Sequence, residues 1–149
     1  MSILTVFDKL QATHRSVAGI KRSSERLPDK LNTDDLPFAW TQVSDGEWTR
    51  VSDFSLHFRT FTVRVYVKPI AQGGPLDAGF KQAARLIQAL GEKYLSDITL
   101  GGVVQHMGTG ARFDPPTMED SGIVPLDFAG TTYWGFEYRI TVKEQVISS

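Results

Sequence analysis

Residues 106–122 read HMGTGARFDPPTMEDSG and gather a histidine, an arginine, the carboxylates of Asp114, Glu119 and Asp120, and the hydroxyl of Ser121. Those types suit three kinds of chemistry. His106 with a carboxylate can move protons, Ser121 can attack an electrophile if a base activates it, and the glycines of GTGAR can wrap an anion. The spacing argues against each. GTGAR lacks the Lys-Ser/Thr ending of a phosphate loop and the GxGxxG of a dinucleotide turn, and no helical pattern follows to lend its N-terminus. Ser121 has no GxSxG setting. A catalytic group must be held to within roughly half an ångström, and Gly108, Gly110, Pro115, Pro116 and Gly122 offer little regular frame for that.

A metal site needs several converging ligands. The chain has only His14, His57 and His106, none in HxH or HxxxH spacing, and no DxDxDG cluster. No metal or other cofactor is expected. Cysteine is absent, which removes disulfides, thiolate nucleophiles and cysteine zinc sites together. The net charge of -1 gives no general attraction to nucleic acid or anionic lipid. Tyr66 and Tyr133 fall on the polar faces of their strands, but without the Gly-flanked aromatic pattern of an RNA-recognition motif. No apolar run reaches the roughly 18 to 20 residues of a membrane span, and Asp8 and Lys9 interrupt what a secretory signal would keep apolar. The 149 residues suit one domain with one core.

The elements that must position these residues follow from periodicity. Ile3, Val6, Phe7, Leu10, His14 and Val17 recur at helical spacing and predict an amphipathic helix from about residue 2 to Gly19. Residues 9–30 carry six Lys or Arg against Glu25 and Asp29, as expected of a solvated helix face and loop. Pro28 and Pro37 bracket a polar linker. In FAWTQVSDGEWTRV, two aromatic and β-branched runs flank Asp45-Gly46, which predicts a hairpin turning there. Phe61, Val63, Val65 and Val67 mark one strand face, and a change of parity near Arg59-Thr60 predicts a bulge or break. Gly74, Pro75 and Asp77 start a helix over 75–95, with Phe80, Ala83, Ala84, Ile87, Leu90 and Tyr94 as its apolar stripe. Residues 98–105 read as a further strand. From Thr131, Trp134, Phe136, Tyr138, Ile140 and Val142 alternate with polar positions to give a closing strand.

This order predicts an α+β fold: a mainly antiparallel sheet, an N-terminal helix and a central helix on one face, and a long loop over 107–131 before the last strand. A loop of that length without periodicity is uncommon unless it binds something. It also carries Phe113, Met118, Ile123, Val124, Leu126 and Phe128, which are costly to leave in water. The residues expected at a subunit or partner interface are therefore Arg112, Phe113, Met118, Glu119, Asp120, Ile123, Leu126 and Phe128.

The succession of the N-terminal helix, the hairpin, FTVRVYVKP, PLDAGFKQAARLIQALGEKYLS, ITLGGVVQ, a long loop and TTYWGFEYRITVKEQ resembles the tail terminator (tail completion) proteins of long-tailed bacteriophages and related gene-transfer particles. The resemblance spans nearly the whole chain and rests on element order and size. It implies a structural virion protein, not an enzyme, made in the bacterial cytoplasm and placed at the head-proximal end of the tail. It implies self-association into a ring, as a hexamer, that caps the tail tube and offers a surface to the head connector, with the tail-tube protein and the connector as partners. A neck or connector subunit and a tail-tube subunit share this size and β content. A small enzyme or ligand-binding domain using residues 106–119 is the alternative from a different class.

Overall fold

The computed structural model describes residues 3–23, 28–70, 76–102, 104, 106–108 and 118–147, and within them all side chains but those at 33, 51, 76–78, 106, 108 and 144–147. Helix α1 spans Ile3–Ser16 and is followed by a two-residue strand, β1 (Arg22–Ser23). A single 3-10 turn, Thr33–Asp35, leads into β2 (Phe38–Val51) and β3 (Phe54–Pro69). Helix α2 spans Leu76–Ser96, and the remainder is β4 (His106–Gly108), β5 (Glu119–Asp120), β6 (Val124–Phe128) and β7 (Thr131–Ile147). No helix among the described residues is long and apolar enough to cross a membrane.

These strands form one sheet of seven in the order β1-β2-β3-β7-β4, with β5 and β6 also paired to β7. All pairings are antiparallel except β1 with β2. The fold is α+β, with both helices on one face. Val6 and Leu10 of α1, Ala83, Leu86, Leu90 and Tyr94 of α2, and Phe61, Val63, Val65, Phe136, Tyr138, Ile140 and Val142 of the sheet form one buried cluster. Their alternation along β3 and β7 turns every second side chain to the helices, and each fully buried aliphatic contributes about 1.5–3 kcal/mol.

Four expectations need correction. The hairpin does not turn at Asp45-Gly46, because β2 runs through both residues and turns at Ser52-Asp53, with φ +51° at Ser52. Ser44 and Asp45 form instead a bulge opposite Thr60, between the pairs Val43–Phe61 and Gly46–Arg59. The bulge expected near Arg59-Thr60 thus lies in the partner strand β2, and β3 runs unbroken through that point, its own register against β7 shifting only between Tyr66 and Lys68. Residues 98–102 are turns, not a strand: Leu100, Gly101 and Gly102 have φ of +50°, +68° and +89°, and the Asp97 carboxylate accepts the Gly101 amide at 2.9 Å. The expected loop over 107–131 contains β5 and β6, both laid along β7. The stripe of α2 is rotated: Leu86 is buried, Phe80 is 50% exposed and packs edge-to-face with Trp134, and Ala84 is exposed.

The opposite face is not wholly polar either. Tyr66 and Tyr133, expected on exposed polar faces, are buried with Leu36, Phe38 and Phe128 in a second, smaller cluster, flanked by Leu31, Trp40 and Leu126. Its rings meet edge-on, Tyr66 to Phe128 at 5.3 Å and Tyr66 to Tyr133 at 5.8 Å between centroids.

Candidate functional site

Each residue expected at an interface has a place in this frame, except Arg112 and Phe113, which lie outside the described residues. Met118 and Ile123 are half-buried against the main cluster, Leu126 is half-buried against the second cluster, and Phe128 is buried within it. The apolar positions of 118–128 are therefore covered by the chain's own fold. Only Glu119 and Asp120 stand exposed, in β5.

What seats this segment is local hydrogen bonding along one edge of β7. Ser121 donates its amide to the Glu137 carbonyl at 2.9 Å and accepts the Glu137 amide on Oγ at 2.9 Å. Its hydroxyl thus replaces a backbone carbonyl in the ladder and carries pairing across the gap between β5 and β6. Asp120 accepts the Gly122 amide at 2.8 Å, forming a side-chain turn. The tight β6–β7 hairpin turns on Ala129-Gly130, both at positive φ, as a type I′ turn requires. Gly135 has no side chain because a Cβ there would collide with the Val65 carbonyl oxygen and stand 2.8 Å from Leu126 Cδ1.

Among the described residues of 106–122, the groups considered for chemistry do not come together. His106 pairs along β7 with Lys143, while Glu119 pairs with Arg139. At about 3.3 Å per residue the two backbone positions lie roughly 13 Å apart along the strand. Asp114 lies outside the described residues. The Ser121 hydroxyl donates to the Gly122 carbonyl at 2.8 Å and accepts from an amide, which makes it a structural group. Glu119, Asp120, Ser121, Glu137 and Arg139 line an open depression of about 170 Å³. Arg139 reaches Asp45 of β2 at 3.3 Å, and Arg64 pairs with Glu137 while lying over the Trp40 ring at 5.6 Å. This is a charged face laced by ion pairs. Among the described residues, no three His, Asp or Glu side chains group as metal ligands.

The feature that sequence reasoning missed is the opposite edge. β1 covers β2 only at Phe38 and Ala39. From Gln42 to Val51, β2 has no strand neighbour on its outer side among the described residues, so its outward amides and carbonyls meet no protein ladder. On this edge Trp48 is 60% exposed and Val43 is 40% exposed. Trp48 lies flat on His57 of β3, with centroids 3.7 Å apart and planes 4° from parallel. Arg59 lies against Gly46 and donates to the Ser44 carbonyl at 3.2 Å, which fixes the bulge. The signal available in TQVSDGEWTRV was polarity on both strand faces, which is how an edge strand reads.

A buried polar junction links α1, α2 and β2. His14 of α1 shares a hydrogen bond of 2.7 Å between Nε2 and the Tyr94 hydroxyl of α2, and its Nδ1 stands 3.4 Å from the Thr41 hydroxyl of β2. Burial and then the neighbouring Arg15 charge bring its pKa down to about 3. Tyr94 packs edge-on to Tyr138, whose hydroxyl donates to the Ile87 carbonyl at 2.6 Å. Burial, reinforced by the Asp120 charge, pushes Tyr138 up to about 12.

Compared with protein-family models and with curated proteins, the chain matches none.

Proposed function

We propose that this chain is a structural virion protein, a tail terminator of a long-tailed bacteriophage or related particle, whose copies form a ring that caps the tail tube and receives the head connector. The observation that carries this reading is the open edge of β2: ten residues of strand, Gln42 to Val51, without a covering strand among the described residues, carrying an exposed tryptophan. Long open edges template pairing with other chains unless they are blocked, and a ring needs one patch that meets a different patch on its neighbour. The resemblance in element order supports the same assignment, and the α+β layering with helices on one face agrees with it. The charged face over β5 and the middle of β7 offers a second surface, suited to a polar partner such as a tube or connector rim.

Electron microscopy of particles lacking the protein tests this. The expected result is tails of irregular, excessive length that fail to join heads. Regular tails that still join heads would overturn the assignment. Replacing His106, Arg112 and Asp114 together is expected to leave assembly intact, because the β2 edge on which this reading rests is built from other residues.

A further inference from the structure

The junction at His14 has a property that the assembly role does not use. Both of its ring nitrogens face hydroxyls, those of Tyr94 on α2 and Thr41 on β2, and Tyr138 of β7 stands behind Tyr94. The charge acting on it is that of Arg15, of the same sign as a protonated imidazole, and the side chain is fully buried. Glu92 and Lys93 of α2 line the open groove beside the C-terminal end of α1, at Ser16, Val17 and Ala18. A proton placed on His14 therefore gains a charge without gaining a carboxylate partner.

The rest of the fold does not depend on α1 for its strand pairing. β2 with β3 and β3 with β7 are joined along nearly their full lengths, and α1 contributes to neither ladder. α1 packs its Val6 and Leu10 into the main cluster and connects to the sheet through a segment that turns at Gly19, with φ +102°. Lifting α1 away breaks side-chain packing and the Tyr94 hydrogen bond but no strand pair.

We propose that His14 makes α1 an acid-releasable element: protonation undocks α1 from α2 and β2 while β3 and β7 stay paired. The direction follows from linkage. His14 binds its proton more weakly when docked, so docking is fully favourable above the unperturbed histidine pKa of about 6.5 and is lost as pH falls from there toward about 3. Across that window one proton shifts the docking equilibrium by up to about tenfold per pH unit, so about fiftyfold between pH 6.5 and 4.5, because half of the undocked histidine is already protonated at pH 6.5.

Hydrogen exchange of the full-length protein, with protection factors corrected for intrinsic exchange, reads this directly. Between pH 6.5 and 4.5 the α1 amides are expected to lose about fiftyfold in protection while those of β3 and β7 keep theirs. His14→Leu should abolish the α1 slope. His14→Gln, which keeps a neutral hydrogen-bonding group, serves in its place should the leucine variant fail to fold. The proposal is overturned if α1 protection is independent of pH, if α1 and the sheet lose protection with one slope, or if either variant keeps the wild-type slope.

Discussion

The two long edges of this sheet are finished in opposite ways. Along β7 the chain lays three short strands of its own, and Ser121 fills the gap between two of them with a side-chain oxygen. Among the described residues only two of β2 are covered, and the remaining edge presents backbone and an exposed indole. One edge is closed from within, and the other is the edge at which we propose another chain pairs. The difference teaches where to look for assembly: an apolar-rich connecting segment that packs down is part of the core, whereas a polar-looking strand that stays open is the candidate interface.

Substitutions on the closed edge should cost stability, and the largest effect is expected at Phe128. Phe128→Ala empties the second cluster between Phe38 and Tyr66 and should cost about 3 kcal/mol in denaturant unfolding. A loss under 1 kcal/mol would mean that this edge is loosely packed. Gly135→Ala comes next, at roughly 2–3 kcal/mol, because the added methyl meets backbone that cannot step aside. Ser121→Ala removes the hydroxyl bridge and leaves the Glu137 amide without its acceptor, for about 1 kcal/mol. Increased exchange at Glu137 alone would locate the loss. On the open edge the order of effects inverts. Trp48→Ser should change thermal stability by less than about 0.5 kcal/mol yet reduce self-association and particle assembly, measured by sedimentation and by tail length. If Trp48→Ser assembles normally, the contrast between the two edges has no functional meaning.

The long strands β3 and β7 were legible because one of their faces is buried over many residues, which writes a period of two into FTVRVYV and YWGFEYRITV. The bounds of α2 were legible from Pro75 and the apolar spacing. The β2–β3 turn was not, since the strongest turn dipeptide, Asp45-Gly46, serves a bulge where Arg59 lies against the glycine, while the true turn uses Ser52-Asp53 without a glycine. β5 and β6 span two and five residues, too few to show a period, and Gly122 and Pro125 disguise them further. At the candidate site, the apolar density of 118–128 rightly signalled a need for cover, but sequence does not say whether cover comes from the same chain. An exposed Trp48 and a buried tryptophan are written with the same letter.

β7 is the shared partner of β3, β4, β5 and β6, and it pairs Phe54 with Ile147 across most of the chain. During synthesis, β2 and β3 can close on each other as soon as both have emerged, but β3 then keeps its second side open until the final strand arrives. Folding dominated by such distant pairings proceeds in milliseconds to seconds, well behind local helix formation. The last strand thus acts as a completion signal for the protomer: a chain broken off before Thr131 has no partner for the second side of β3 and exposes the apolar residues that β7 would have covered.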